Sequence, residues 1–128
     1  MYIAEAALWH PNIPLCSCTA VRIPTFRAHS ESIIALFDKA VDITAARNAL
    51  EDAPGVKLED DPENLKYPMP LTATGQYDVE VGRLRKSIAF DNALEFFVSG
   101  DQLLRGAALN AVLVAEAMLE NGSLKAKK

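Results

Sequence analysis

The amino-acid sequence predicts one α+β domain, in which a mixed, largely antiparallel sheet carries helices packed on one face. Residues 77–88 alternate between apolar and polar side chains, and a turn-forming stretch, FDNA, leads from them to a second strand, residues 94–99, which predicts an antiparallel pair of strands. Residues 44–53 and 102–120 have the composition and spacing of helices. A chain of 128 residues suffices for a single domain with its own core.

The first part of the chain predicts a short helix followed by a strand. Residues 2–9 are expected to form the helix, which ends before Pro11. Residues 15–24 alternate and contain threonine and valine, and they predict a strand that ends at Pro24 or lies at a sheet edge.

Residues 30–40 predict an amphipathic helix that begins near Ser30. Four apolar side chains recur there at helical spacing: Ile33, Ile34, Phe37 and Ala40. A second helix is expected over residues 44–53, where Thr44 can cap the start and Pro54 stops the end.

The middle of the chain predicts a short strand, a long loop and the hairpin. Residues 56–60 form the strand, and a loop rich in Asp, Pro and Asn runs on to Gly75. Long loops in compact domains are often functional or interfacial. The alternation of residues 77–88 shifts phase near Gly82, which predicts a β-bulge.

The last predicted helix, residues 102–120, is apolar on nearly all sides. Asp101 and Gln102 are expected to cap its start, and Asn121 and Gly122 to end it. Because such a helix needs neighbours all round, the pattern indicates a further domain or a second subunit.

Composition limits the classes of partner and location. The formal net charge of −4 and the pI of about 5.1 argue against a nucleic acid or an anionic membrane as partner. No apolar stretch is long enough to span a bilayer, and Glu5 interrupts any signal-like start, so we expect a cytoplasmic protein. Cys16 and Cys18 are then reduced thiols, and no metal site is expected, since His10 and His29 lack ligand spacing.

The segment RIPTFRAHSE, residues 22–31, contains the side chains best suited to chemistry. Arg22 and Arg27 offer guanidinium forks that can bind a carboxylate or phosphate through two parallel hydrogen bonds. His29 can transfer a proton near neutral pH. Taken alone, these residues favour the interpretation as two solvated surface arginines and a capping or packing histidine, because a single cluster of this kind is weak evidence for a site.

This segment resembles the active-site segment of aspartate-semialdehyde dehydrogenases, whose pattern is R-[VI]-P-x-x-R-[AG]-H-S-E. Further stretches resemble the same family in order and spacing: residues 53–71, 78–88 and 99–112. The resemblance extends from about residue 13 to residue 119, and four stretches in the right order are more specific than any one of them.

The resemblance implies a fold like the semialdehyde dehydrogenase dimerisation domain. Residues 1–128 would be a single C-terminal domain for substrate binding and dimerisation, without the N-terminal NADP-binding domain. The family reduces aspartyl phosphate with NADPH to aspartate semialdehyde, in the biosynthesis of lysine, threonine and methionine. A cysteine thiolate of the family forms the acyl-enzyme.

The resemblance also implies roles for individual residues. Arg22 would bind the α-carboxylate of the substrate, and His29 would be the acid/base. Asn110 would lie near the nicotinamide of NADP, although Leu113 replaces a glutamine of the family pattern and puts that contact in doubt. Arg27 falls at a family arginine to which we assign a structural or surface role.

Several features that the family needs for catalysis are absent from this sequence. It contains no glycine-rich dinucleotide-binding turn, and neither Cys16 nor Cys18 lies in the Asn-Cys motif of the family nucleophile. We therefore expect a part of the enzyme that is inactive alone, with a second copy or an N-terminal half as partner and a small molecule as substrate. The alternatives are a non-catalytic dimerisation module or remnant, and carboxylate binding by Arg22 alone.

A basic cluster in the first hairpin strand also has two interpretations. Arg83, Arg85 and Lys86 could form a phosphate site, or they could lie on a solvated or subunit-facing surface of the strand.

Overall fold

The computed structural model describes residues 19–123, and four strands of this range form one sheet in the order β1–β4–β3–β2. The strands are β1 (His29–Leu36), β2 (Val56–Leu58), β3 (Val79–Lys86) and β4 (Ala93–Gly100). Strand β4 pairs antiparallel with both β1 and β3, whereas β2 pairs parallel with β3. The predicted α+β fold with a mixed, largely antiparallel sheet is confirmed.

Three helices accompany the sheet in the described range: α1 (Ile43–Glu51), α2 (Pro70–Ala73) and α3 (Leu109–Glu120). Helix α1 is the predicted helix, but its cap is Asp42, whose carboxylate accepts a 2.8 Å hydrogen bond from the Ala45 amide. Helix α2 and a 3₁₀ turn, Pro62–Asn64, lie within the stretch predicted as a loop.

The predicted helix over residues 30–40 is wrong, because this segment forms strand β1. All eight residues of β1 pair with β4, from His29 opposite Gly100 to Leu36 opposite Ala93. The adjacent β-branched side chains Ile33 and Ile34 suit a strand at least as well as a helix. A full ladder with β4 therefore outweighs the local apolar spacing.

The first predicted elements lie largely outside the described residues. The helix over residues 2–9, residues 15–18 of the predicted strand and both cysteines, Cys16 and Cys18, belong to that part. Residues 19–24 are described, and they do not form the strand that was predicted for them.

The predicted helix over residues 102–120 is wrong in its first third. Residues 104–108 form an irregular turn, in which Gly106 has a φ of +80°, and α3 begins only at Leu109. Glycine adopts this left-handed conformation without a steric penalty, so it interrupts the helix. The Asn110 side-chain oxygen accepts a 3.0 Å hydrogen bond from the Gly106 amide and stabilises the turn.

A buried carboxylate, Glu80 of β3, joins the sheet to the chain before it. Glu80 is fully buried and accepts hydrogen bonds from the Thr72 hydroxyl at 2.6 Å and from the Met69 amide at 3.3 Å. The ammonium of Lys57 lies 3.3 Å from the other carboxylate oxygen. Through these three donors, Glu80 connects helix α2 and the edge strand β2 to strand β3.

The bulge predicted near Gly82 is confirmed by a register shift between Gly82 and Arg85 in the β3–β4 ladder. The Asp60 carboxylate accepts hydrogen bonds from the amides of Arg83 at 2.8 Å and Leu84 at 3.3 Å, which the bulge turns away from the ladder. Arg47 of α1 forms a salt bridge to the same carboxylate. Asp60 therefore connects the bulge to α1.

Gly82 permits a close approach between β3 and the loop that covers it. A Cβ atom at this position would lie 2.2 Å from the Glu59 carbonyl oxygen and 2.7 Å from Pro68 Cδ. We expect Gly82→Ala to lower the free energy of unfolding by about 2–3 kcal/mol, because backbone and a proline ring must move. Urea unfolding followed by circular dichroism measures the loss.

The matched control for this prediction is Gly75→Ala. Gly75 has open space around its Cα atom but a φ of +80°, so its alanine variant tests backbone strain without a clash. We expect a cost of about 1 kcal/mol at Gly75. An equal or smaller loss at Gly82 would contradict the steric explanation.

Candidate functional site

An open groove of about 300 Å³ lies on one face of the sheet, at the end where β1 begins and β4 ends. Its lining comes from three strands and from the turn after β4: His29, Glu31, Val79, Val98, Gly100, Gln102, Arg105 and Gly106. Side chains two positions apart in a strand share a face, which places His29 and Glu31 side by side. The groove thus joins an imidazole, a carboxylate, an amide and a guanidinium.

Arg22 lies in the exposed segment that leads into β1 and is not part of the groove lining. Within residues 19–123 its guanidinium has no hydrogen-bond partner, and neither has the His29 imidazole. The two residues are seven positions apart along one short segment. Both side chains are exposed, so both are accessible to a small molecule.

Between these two residues, Arg27 fixes the segment to the end of β4. Its Nε atom lies 2.9 Å and 2.8 Å from the two carboxylate oxygens of Asp101, which is fully buried. The same carboxylate accepts hydrogen bonds from the amides of Gly75 at 2.7 Å and Leu103 at 3.0 Å. The structural role expected for Arg27 is thus visible in these contacts.

The electrostatics of Asp101 favour the charged carboxylate. Burial by itself raises the pKa of Asp101, but the hydrogen bond from Arg27 and those from the Gly75 and Leu103 amides outweigh it. The pKa of Asp101 therefore lies below its ordinary value. The ion pair with Arg27 is retained at neutral pH.

Ala28, the residue before the histidine, adopts an unusual backbone conformation. Its φ is +71° and its side chain is buried, and the Gln102 side-chain oxygen accepts a 2.8 Å hydrogen bond from its amide. One residue beyond His29, the hydroxyls of Ser30 and buried Ser99 lie 3.0 Å apart. Contacts on both sides thus hold the His29 backbone.

Arg105 reaches the groove from the turn before α3. Its Nε donates a 2.7 Å hydrogen bond to the Tyr77 carbonyl, and its guanidinium lies 3.6 Å from an Asp78 carboxylate oxygen. A Cβ atom at Gly55 would overlap this guanidinium, so the observed position of the Arg105 side chain requires glycine at position 55. Arg105 connects the turn to the loop before β3.

In the basic cluster of β3, Arg83 and Arg85 contact neighbouring side chains. Arg85 forms a 2.5 Å salt bridge with Glu95, and the Arg83 guanidinium lies 5.1 Å from the centre of the Tyr67 ring. These contacts favour the solvated-surface interpretation over a phosphate site. Within residues 19–123 no group of three or more potential ligand side chains is placed to hold a metal ion.

Comparison with known proteins identifies the family. The family model described as "Semialdehyde dehydrogenase, dimerisation domain" matches residues 5–105. The chain belongs to the semialdehyde dehydrogenase dimerisation-domain family. The resemblance to aspartate-semialdehyde dehydrogenases found in the sequence is thereby confirmed.

Relatives of this dimerisation domain include aspartate-semialdehyde dehydrogenases of several bacteria. The Synechocystis sp. enzyme is 46% identical over 84% of the chain and 32% of the enzyme. The Aquifex aeolicus enzyme is 45% identical over 95% of the chain and 36% of the enzyme. The chain therefore spans about a third of the length of these relatives.

Solved structures agree with the fold of this dimerisation domain. A crystal structure of aspartate semialdehyde dehydrogenase II complexed with ASA from Vibrio cholerae has a TM-score of 0.71 at 29% identity. The match covers 77% of this chain and 29% of that chain. A probable aspartate-semialdehyde dehydrogenase from Pseudomonas aeruginosa has a TM-score of 0.67 at 30% identity over 75% of this chain.

Three groove residues, Glu31, Gln102 and Arg105, were not assigned to a site from the sequence. The predicted helix over residues 30–40 included Glu31 but not His29, so it gave no reason to place the two side chains on one face. The alternation of a strand would have indicated their shared face. Gln102 and Arg105 come into the groove through the turn that replaces the first part of the last predicted helix.

Proposed function

We propose that this chain supplies the substrate-binding arginine, Arg22, and the acid/base, His29, of an aspartate-semialdehyde dehydrogenase. The observation that carries the proposal is the position of His29 at an open groove that also contains Glu31, at the end of a segment anchored by Arg27 and Asp101. The similarity to aspartate-semialdehyde dehydrogenases of several bacteria supports it.

The proposed roles follow from the chemistry of the side chains. The Arg22 guanidinium donates two parallel hydrogen bonds to the α-carboxylate of the substrate and so orients the reacting carbonyl group. His29 removes the proton of the attacking thiol and later returns a proton to it when the thioester or thiohemiacetal is broken. The thiol belongs to another part of the enzyme, since neither Cys16 nor Cys18 has the family's Asn-Cys sequence.

NADP is the coenzyme of the proposed reaction, and it supplies or accepts the hydride. The Asn110 side-chain oxygen accepts a hydrogen bond from the Gly106 amide, and the sequence contains no glycine-rich phosphate-binding turn. We propose that NADP is bound mainly by the N-terminal domain of the enzyme. A contact from Asn110 would use the remaining NH₂ group of its amide.

The proposed assembly is a homodimer of the complete enzyme in the cytoplasm, with an amino-acid derivative as substrate in lysine, threonine and methionine biosynthesis. Large apolar side chains on the surface support association, including fully exposed Phe26 and Ile88 and four of α3 and its preceding turn: Leu103, Val112, Val114 and Leu119. Within residues 19–123 no helix is long and apolar enough to cross a membrane. A purely non-catalytic dimerisation module is less favoured, because the active-site segment of the enzyme is retained.

A reconstitution experiment tests the proposal. The chain is produced together with the part of the Synechocystis sp. enzyme that lies outside the matched region, and NADP reduction is followed with aspartate semialdehyde and phosphate. We expect activity from the pair and none from the chain alone. A pair that forms but remains inactive would contradict the proposed function.

Arg22→Lys in this reconstituted enzyme is expected to raise KM for aspartate semialdehyde by about 10- to 100-fold, because lysine cannot donate the two parallel hydrogen bonds. Initial rates over a range of semialdehyde concentrations measure the change. The matched control is Arg85→Lys, which alters an arginine that pairs with Glu95 away from the groove. Equal KM values for the two variants would reject the role of Arg22.

A further inference from the structure

We infer that Asp101 is a positioning residue, which holds the segment from Arg22 to His29 in place through Arg27. The inference rests on the proposed function and goes beyond it, because neither Asp101 nor Arg27 needs to touch the substrate. Asp101 acts through Arg27 and not on the substrate itself. Its carboxylate is fully buried, and its hydrogen-bond partners belong to three separate parts of the chain.

The first support is the completeness of the hydrogen bonding at Asp101. One oxygen accepts from Arg27 Nε and the Leu103 amide, and the other accepts from the Gly75 amide and also lies 2.8 Å from Arg27 Nε. The Asp101 carboxylate therefore connects the active-site segment to the turn after α2 and to the turn after β4. A buried carboxylate with these donors has little freedom to move.

The second support is the lack of other anchors along the segment. Residues 19–26 are exposed, and Arg27 is the first residue of this segment with a side-chain bond to a buried group. The next contact, between the Ala28 amide and Gln102, depends on the residue that follows Asp101. Both contacts thus place the segment against the same turn.

The third support is the backbone strain at Ala28. A residue other than glycine with a φ of +71° is stable only where its surroundings enforce that conformation. Here the Arg27 ion pair acts on one side and the β1–β4 ladder on the other. Loss of the ion pair would let Ala28 relax and would change the direction in which the chain approaches His29.

Amide hydrogen exchange on the 128-residue chain tests the anchor directly. The variants are Arg27→Ala, Asp101→Asn and the conservative Arg27→Lys. We expect the Ala28 amide to exchange at least about 10-fold faster in the first two variants and to stay near the parent rate in the third. The Glu59 amide, which donates a 2.8 Å hydrogen bond to the Val81 carbonyl, is the internal reference and should be unchanged.

Steady-state kinetics of the reconstituted enzyme test the consequence for the site. We expect Arg27→Ala to raise KM for aspartate semialdehyde about 10-fold and Arg27→Lys to restore most of the parent value. A merely structural role would lower the concentration of active enzyme, and with it the apparent kcat, but would leave KM unchanged. The KM difference therefore separates positioning from stability.

Each outcome decides the inference. Faster exchange at Ala28 together with a raised KM that Arg27→Lys restores supports it, whereas an unchanged Ala28 rate or an unchanged KM overturns it. If Arg27→Ala does not fold because it leaves Asp101 without a counter-charge, the double variant Arg27→Ala with Asp101→Asn removes that charge and is used instead. An inactive parent enzyme, or one insensitive to Arg22→Lys, contradicts the proposed function instead, while the exchange rates still report on the anchor.

Discussion

Replacement of His29 by glutamine is expected to lower kcat of the reconstituted enzyme by about 10²- to 10⁴-fold, the usual contribution of a general acid/base. Glutamine keeps the approximate size and polarity of the side chain but cannot accept and return a proton. His29 is exposed at the groove, and its backbone is held by the β1–β4 ladder, so the substitution should leave the fold intact. KM should change little, because Arg22 and not His29 is proposed to bind the substrate carboxylate.

The matched control for this prediction is His10→Gln, since the chain contains two histidines. Single-turnover measurements on both variants separate the chemical steps from product release. A His29→Gln enzyme with a kcat within about twofold of the His10→Gln enzyme would reject the acid/base role.

The second large effect concerns stability. We expect Glu80→Ala to lower the free energy of unfolding by about 3–5 kcal/mol. The change leaves the Thr72 hydroxyl and the Met69 amide without their acceptor and opens a cavity in the most buried part of the sheet. The ammonium of Lys57 also loses one of its two carboxylate partners and keeps only Glu59.

Urea unfolding at neutral pH measures this effect, and Glu116→Ala provides the matched control. Glu116 is an exposed residue of α3, so the same chemical change there should alter the free energy of unfolding by less than about 0.5 kcal/mol. If Glu80→Ala cost less than about 1 kcal/mol, the view that buried polar contacts hold α2 against the sheet would be wrong.

The β-hairpin was the part of the fold that the sequence predicted best. Apolar and polar residues alternate in β3 up to the shift at Gly82, β4 is rich in apolar and aromatic residues, and the connection between the two strands is short. The phase shift at Gly82 located the bulge, because an extra residue in a strand moves every later side chain to the other face. These are local signals that depend little on the rest of the molecule.

Strand β1 was wrongly predicted because its stability comes from a distant partner. Its ladder joins His29 to Gly100 and Leu36 to Ala93, pairs that are more than 50 residues apart in the sequence. Helical spacing over a few apolar residues is a weak signal, and the apolar sequence of β1 does not mark a buried face, since Ile34 and Leu36 are exposed. Only the presence of β4 determines the structure of this segment.

The candidate site was predictable in part. Arg22 and His29 were assigned through the resemblance to a family, and no periodicity could have selected them from the other arginines and histidines. Asp101 was expected to be a helix cap, and it does bind the Leu103 amide, but its main partners, Arg27 and Gly75, are remote in sequence. Long-range ion pairs of this kind leave no spacing pattern in a single sequence.

The conformation of Ala28 has a consequence for which substitutions the site tolerates. A left-handed backbone excludes β-branched residues, and the burial of the side chain excludes those with longer polar groups such as asparagine, which otherwise tolerate this region. Only the two smallest amino acids satisfy both requirements. The family pattern, which accepts alanine or glycine before the histidine, is thus explained by chain geometry and available volume, without any chemical part for this residue in the reaction.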